Sequence, residues 1–469
     1  MTTAGVRPSD AMIENRTFDE IAVGETASVS RTVTQADIDL FAVAAGEVAQ
    51  IGRFDTGAVP PRVVADGLFA MGLISSLVAG RLPGPGSALL AHDQTFHRPI
   101  SIGDTITARV TVLEKRTEGR ELLLDCICLN QAGETVVTGR ARVTAPDEKI
   151  RLPALERAEI RLSRHERFRS LLQDAARQPP LPTAIAHPCD ADSLGAAVEA
   201  ARAGLIAPIL VGPRLRIAAA AEKAGLDISA LRLVDAPHST ASAAAAVALV
   251  RQGEASLLMK GSLHTDELLH AVLEPQLGLR TGRWLSHVYL MDVPAYPRPL
   301  LLTDAAVNIA PDLEQKRDIV QNAIDLAHVM GIATPRVALL SAVEMVNPHM
   351  RSTLDAAALC KMADRGQITG GLVDGPLAFD NAVSPEAARL KGIVSPVAGQ
   401  ADILVAPDLE AGNMLAKQLT FMAGADAAGV VLGARVPIIL TSRADAERTR
   451  MASCAVAVRI ARDTARALI

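Results

Sequence analysis

The chain has 469 residues, room for about two to four domains at roughly 100–200 residues each. Hydrophobic residues make up 49% and aromatic ones only 2%, so the cores must be built from Ala, Val, Leu and Ile, which suit helices packed on buried parallel strands. A net charge of −5, one Trp and two Tyr provide neither a basic stripe nor stacking side chains, which argues against nucleic-acid binding.

The first twenty residues, MTTAGVRPSDAMIENRTFDE, are polar and acidic and do not read as a secretion signal. No uncharged apolar run reaches the roughly 18 residues of a membrane span, so a cytoplasmic location and no membrane contact are expected. Further on, IDLFAVA leads into AGEVAQIG at residues 45–52, where Glu47 is the one acid among small residues. VVADGLFAMGLISSLVAGRLPG then reads as one buried helix, stopped by LPGPG. Residues 105–115, 121–129 and 134–144 are β-branched, partly alternating runs between polar turns, and they predict consecutive antiparallel strands. One helix wrapped by an antiparallel sheet is an α+β layout. The cysteines Cys126, Cys128, Cys189, Cys360 and Cys454 form no metal pattern and read as small buried hydrophobes in a reducing compartment.

PDEKIRLPALERAEIRLSRH is charged, lacks an apolar stripe and is the best linker candidate, which is set at 148–165. Helices then alternate with short apolar strands. PLPTAIAH and APILVGP flank the helix DSLGAAVEAARAGL. ASLLMKG, HVYLMDV, PRVALLSA, ADILVAPD, AGVVLG and VPIILTSR follow. That alternation implies a doubly wound α/β architecture. Its length exceeds what one sheet usually carries, so two lobes with a cleft between them are expected.

Ligands in open α/β sheets lie past the carboxyl ends of strands. VPIILTSRAD ends in Ser442, Arg443 and Asp445. Arg443 suits a phosphate or oxyanion clamp, Ser442 a donor to a developing oxyanion, and Asp445 a proton acceptor. The same residues also suit a helix N-cap. In PDLEAGNMLAKQL, Gly412 and Asn413 would let backbone N–H groups face a ligand, and Lys417 supplies a point charge. In MKGSLHTDELL, the residues Lys260, Ser262, His264 and Thr265 open a helix, and LLLTDAAVNIAPD carries Thr303, Asp304 and Asn308. Together these loops suggest a phosphate-binding cleft without a Walker motif, GxGxxG or zinc spacing.

The segments HPCDADSLGAAVEAARAGLIAPILVGP, MKGSLHTDELLHAVL, SPVAGQADILVAPDLEAGNMLAKQL and VPIILTSRAD resemble the phosphate acetyl/butyryltransferase family over roughly residues 166–469. The resemblance implies an α/β two-lobed, isocitrate/isopropylmalate dehydrogenase-like phosphate acyltransferase domain whose last strand and helix return to the first lobe. It also implies a homodimer or higher homo-oligomer, and the reaction of acyl-CoA and inorganic phosphate to acyl phosphate and CoA, acetyl favoured, with no metal or redox cofactor. On this match Ser442 and Arg443 stand for the catalytic pair and Lys417 for a phosphate-site lysine; the loop residues Lys260, Ser262, His264, Thr265, Asn308, Gly412 and Asn413 are then expected as CoA or phosphate contacts. The family's base lies a few residues further on than Asp445, where this chain has Thr449. His270 stands where acetyl-specific members place an arginine, which leaves butyryl transfer open.

TFDEIAVGETASVSRTVTQADIDLFAVAAGE, VVADGLFAMGLISSLVAG and FHRPISIGDTITARVTV resemble the MaoC-like (R)-specific enoyl-CoA hydratases of hot-dog fold. Active members read SGDxNPxH where this chain reads AGEVAQIG. Glu47 therefore stands for the Asp, Gly52 for the His, and Asp66 for a further His in Ala65-Asp66-Gly67. Hydration needs one group to take and another to give a proton, and Gly52 can do neither. The resemblance thus implies a degenerate site, unless Glu47 is assisted by another residue and both activities persist. The expected map is 1–147 hot-dog domain, 148–165 linker, 166–305 plus 431–469 first lobe, and 306–430 second lobe. A metal-dependent decarboxylating dehydrogenase and an acyl-CoA-sensing scaffold are the competing readings. The TSRAD and PDLEAGN segments argue against the first, and intact Ser442, Arg443 and Lys417 against the second.

Overall fold

The computed structural model describes residues 12–44, 53–55, 62–65, 67–153, 166–440 and 446–467. The chain forms two compact units, Met1–Leu162 and Ser163–Ile469.

In the N-terminal unit, strands Thr26–Thr32, Thr105–Arg116, Glu121–Leu129, Thr135–Thr144 and Ala88–Phe96 pair antiparallel in that order. Period-two alternation causes this. Ile106, Ala108, Val110 and Val112 face inward from one strand, and Leu122, Leu124, Cys126 and Cys128 from the next. Helix Leu68–Gly80 lays Ala70, Leu73, Ile74, Leu77 and Val78 on that face, the three- and four-residue spacing of a helical stripe. Full burial of each Leu, Ile or Val side chain contributes roughly 1.5–3 kcal/mol. This is the helix-in-sheet layout of a hot-dog fold.

The N-terminal unit departs from expectation in three places. The helix is shorter than VVADGLFAMGLISSLVAGRLPG suggested, because Arg62–Ala65 is a strand paired with Arg53–Asp55 and Ile100–Ser101. Adjacent Val63 and Val64 favour extended backbone, and the helix starts only after Gly67. Two strands were not anticipated, Thr26–Thr32 and Ala88–Phe96. They are the edges of the sheet: Thr26–Thr32 turns only Ala27 and Val29 inward, and in Ala88–Phe96 the alternation is blurred by exposed Leu89, Leu90 and Phe96. Finally, the segment set as a linker begins as structure: Arg151–Pro153 pairs antiparallel with Met12–Glu14.

The C-terminal unit is built on one eleven-stranded sheet. Its strands are β1 Leu181–Ala186, β2 Ile206–Gly212, β3 Arg232–Asp235, β4 Leu257–Lys260, β5 Ser286–Asp292, β6 Leu300–Thr303, β7 Arg336–Leu340, β8 Leu372–Leu377, β9 Ile403–Val405, β10 Asp426–Leu432 and β11 Ile438–Ile439. The spatial order is β3-β2-β1-β4-β11-β10-β5-β6-β9-β7-β8. A division into two separate sheets, implicit in the length argument above, does not occur among the described residues.

Strand direction organises the unit. β3, β2, β1, β4 and β11 are mutually parallel, as are β6, β9, β7 and β8. Between the blocks, β11–β10, β10–β5 and β5–β6 are antiparallel. Three reversals leave the two blocks running in opposite directions, so their carboxyl ends emerge at opposite edges of the sheet. The helices used below are α1 Glu166–Ala176, α2 Ser239–Arg251, α3 Thr265–Leu273, α4 Leu313–Val329, α5 Leu409–Phe421 and α6 Glu447–Ala467. α1, α4 and α6 bury one face through Phe168, Ile319, Val320, Ile324 and Ala455–Val458. α2 and α3 cover part of the other through Val247, Val250, Leu268 and Val272, and Ala416 of α5 covers a further part.

Candidate active site

At the first edge the chain runs from β1 outward to β2 and β3, while β4 lies on the other side of β1. The carboxyl ends of β1 and β4 therefore form a topological switch point, where open α/β sheets bind ligands. Two loops meet there. Gly261 N donates to Ala186 O at 2.9 Å, and Ser262 donates to His187 O from its N at 2.9 Å and its Oγ at 2.8 Å. Cys189 N donates back to Ser262 Oγ at 3.1 Å. A methyl group on residue 261 would strike Ala186 O and the His187 backbone, so this close approach requires glycine. His187 adopts a left-handed φ of 58° and is buried, with Nδ1 3.0 Å from Ser242 Oγ. Burial lowers its pKa.

His264 precedes α3, and its N donates to Glu267 Oε2 at 2.9 Å. The other Glu267 oxygen accepts from Ser239 Oγ at 2.5 Å, tying the start of α3 to the start of α2. The Ser239 hydroxyl, then the His264 amide, hold the Glu267 carboxyl below the usual carboxylate range. Of the residues predicted for this edge, the Ser262 hydroxyl and the His264 backbone amide hold the loops together. Thr265 opens α3, and Lys260, half-buried with Nζ 3.3 Å from Gly261 O, is the cation of the group.

The second predicted group lies on the other block. Asp304 is buried and accepts hydrogen bonds from the N of Ala306 at 2.9 Å, Val307 at 3.0 Å and Asn308 at 3.2 Å, and from Asn308 Nδ2 at 2.5 Å. Asn308 Nδ2 also donates to Leu285 O at 2.8 Å. The Asn308 amide thus fixes its own loop. Asn413 Nδ2 donates to Ala305 O at 3.0 Å, and Asp408 caps α5 by accepting from Ala411 N at 2.9 Å. Gly412 packs so closely on Asp304 O that no side chain fits. Lys417, one turn beyond Asn413, is exposed and has no ion-pair partner among the described residues.

Lys260, Ser262, His264 and Thr265 therefore follow a strand that leaves at one edge. Asn308, Gly412, Asn413 and Lys417 follow strands that leave at the opposite edge. The motif VPIILTSRAD enters on the first side, since β11 is parallel to β4 and pairs with it as Leu258↔Ile438 and Met259↔Ile439. Ser442, Arg443 and Asp445 lie outside the described residues, as do Glu47, Gly52 and Asp66 in the N-terminal unit. Among the described residues no group of three or more His, Cys, Asp or Glu could hold a metal ion.

His287 is not among the residues expected at the site. It sits on β5, 1% exposed, and its carbonyl accepts from Thr303 Oγ1 at 2.8 Å. Neither ring nitrogen has a hydrogen-bond partner. The ring meets Tyr289 edge-on at 4.4 Å between centroids. Burial pushes its pKa down to about 4, against an opposing pull from Asp304. A single histidine inside HVYLMDV gives no sequence signal beyond a core residue.

A family described as "Phosphate acetyl/butaryl transferase" matches residues 238–458. A phosphate acetyltransferase of Rhizobium meliloti is 63% identical over 291 residues, which is 62% of this chain and 92% of that protein. The chain belongs to the phosphate acetyl/butyryl transferase family. A phosphate butyryltransferase of Clostridium acetobutylicum is 45% identical over 59% of this chain and 92% of its own length. Among solved structures, a branched-chain phosphotransacylase from Enterococcus faecalis V583 superposes with a TM-score of 0.54 at 33% identity, covering 60% of this chain and 99% of that one. Family membership makes the chain an acyltransferase and assigns that chemistry to the C-terminal unit, within which the matched residues fall.

Proposed function

We propose that the C-terminal unit catalyses reversible transfer of an acyl group between CoA and inorganic phosphate, with acetyl favoured over butyryl. The observation that carries this reading is the 63% identity along nearly the whole of a phosphate acetyltransferase, against 45% for a butyryltransferase. In this reading phosphate attacks the thioester carbonyl and CoA leaves as thiolate. Arg443 holds phosphate through paired donors, and Ser442 stabilises the oxyanion of the tetrahedral intermediate. Asp445, or another acid near it, takes the thiol proton in the reverse direction, because the thiolate is the nucleophile. The pairing of β11 with β4 supports grouping these residues with Lys260 and Thr265. We assign CoA and phosphate as substrates with no further cofactor, an isocitrate dehydrogenase-like pair of lobes with 306–430 as the second, a homo-oligomer, and a cytoplasmic location.

For the N-terminal unit we propose a hot-dog domain that no longer hydrates enoyl-CoA. Gly52 offers no proton-transferring group. His97, downstream of the helix, is engaged with Thr138 Oγ1 through Nε2 at 2.8 Å. The alternative, a chain with both activities, predicts crotonyl-CoA hydration.

One assay tests both units. Thiol release from acetyl-CoA and butyryl-CoA is followed with and without phosphate, and crotonyl-CoA hydration is measured on the same sample. Phosphate-dependent release, faster with acetyl-CoA and lost in Arg443→Ala, is the expected result. Release that survives Arg443→Ala removes the assigned clamp, and hydration overturns the reading of the first unit.

A further inference from the structure

The loops that meet at the carboxyl ends of β1 and β4 are both gripped by the first turn of α2. Ser239 and Ser242 stand three residues apart and so share one face of that helix. Ser239 Oγ donates to Glu267 Oε1 at 2.5 Å, at the start of α3. Ser242 Oγ lies 3.0 Å from His187 Nδ1, just past the end of β1 and 55 residues away in sequence.

The grip on His187 has the larger consequence. Its left-handed backbone is one that residues with a side chain rarely adopt. In that conformation its carbonyl accepts from three donors: Ser262 N at 2.9 Å, Ser262 Oγ at 2.8 Å and Cys189 N at 2.9 Å. Such a conformation persists only where its surroundings hold it. The buried ring supplies that hold. The Ser242 hydroxyl donates to His238 O at 2.8 Å, so Nδ1 carries the ring proton and donates to Ser242 Oγ. This is the ring's one hydrogen bond among the described residues. Lys260 lies two residues before Ser262 and Thr265 three after it, so a seated Ser262 fixes the place of both.

We propose that His187 and Ser242 are positioning residues for acyl-CoA. Their bond locks the end of β1 in the conformation whose carbonyl seats Ser262, and so places Lys260 and the start of α3 for the CoA phosphates. Neither residue is asked to touch substrate. The proposal rests on the transferase reading given above and extends it to residues outside the expected contacts.

The test uses the full chain as wild type, His187→Ala, His187→Asn and Ser242→Ala. Acetyl-CoA binding is measured by calorimetry in phosphate-free buffer, and phosphate-dependent thiol release is followed in parallel. Loss of one buried hydrogen bond and the order it imposes should weaken binding about tenfold in His187→Ala and Ser242→Ala. KM for acetyl-CoA should rise by the same factor while kcat changes far less, the mark of an interaction common to ground and transition states. His187→Asn should restore KM, because asparagine accepts the left-handed backbone and offers an N–H in place of Nδ1–H. Thermal unfolding shows which variants fold; Ser242→Ala, which leaves residue 187 itself intact, carries the test where His187→Ala does not.

Unaltered affinity in the alanine variants, with only a lower Tm, would make the pair purely structural and overturn the proposal. So would a fall in kcat at unchanged KM that asparagine does not restore, since the ring would then act in the chemistry. A wild-type chain that binds acetyl-CoA but releases no thiol with phosphate removes the transferase reading alone, and the affinities still decide the positioning role. A wild-type chain that does not bind acetyl-CoA removes both.

Discussion

The imidazole of His287 occupies the space that a side chain on Gly429 would need: a Cβ at residue 429 would lie 2.8 Å from His287 Nε2. Gly429 sits on β10 opposite Tyr289, diagonal to His287 on β5. The missing side chain and the buried ring fit one another at the centre of the sheet, where the two parallel blocks are joined.

Gly429→Ala should therefore destabilise the C-terminal unit by about 1–3 kcal/mol, the usual cost of overpacking. Pairing it with His287→Ala should recover part of that loss, because the clash is removed. Urea unfolding of the single and double variants reads the coupling directly, and strictly additive losses would mean that the two residues do not meet.

His287 should also shape stability against pH. Below the ordinary histidine pKa of about 6.5 the unfolded chain takes up a proton that the buried ring refuses until about 4. The unfolded state then binds more protons, so this residue lowers stability as pH falls through that window, by on the order of 3 kcal/mol in full, and levels off below it. His287→Phe should lose less stability than wild type between pH values of about 7.5 and 4.5. Equal losses would place the titration elsewhere.

Asp304→Asn puts an amide where a carboxylate accepts from three backbone N–H groups and from Asn308. One oxygen becomes a donor facing donors. The expected cost is about 1–3 kcal/mol, with the loop at 304–308 exchanging faster with solvent. Unchanged exchange there would show that the loop is held by other contacts.

Glu267 ties α2 to α3 most strongly while ionised. Its carboxyl pKa is depressed, so its contribution is present above the unfolded value of about 4.3 and is lost as acid protonates it. The stability gap between wild type and Glu267→Gln should be widest near neutrality and narrow as pH falls below the unfolded value. A gap that stays constant with pH would assign it to packing.

Legibility in the sequence varied with how local the cause is. Leu181–Ala186 and Ile206–Gly212 were readable because continuous apolar runs flank a helical stripe capped by Asp190. The inward alternation of Ile106 to Val112 declared the antiparallel sheet. Strand direction has no local signature, so nothing in GSLHTD or DLEAGN reveals that their strands leave at opposite edges. Edge strands such as Ala88–Phe96 lack clean alternation because one side has no neighbour to bury it. At the site, the residue types in TSRAD suggested chemistry. The engagement of Ser262, Asn308 and Asn413 in loop hydrogen bonds depends on partners tens of residues or more away in sequence. Only the fold brings those together.

The pairing of β4 with β11 has a consequence for how the protein is made. Leu258, already paired with Ala184 on β1, acquires its second partner only when Ile438 arrives, after all the intervening strands. During synthesis at roughly 5–20 residues per second, the early strands must wait while the whole intervening block is translated. Their open edge stays unsatisfied throughout, and pairing across so long a separation is intrinsically slow. A chain cut short before residue 438 would leave β4 with a permanently exposed edge, a template for aggregation. Strand β11 thus acts as the closing piece of a domain begun much earlier on the ribosome.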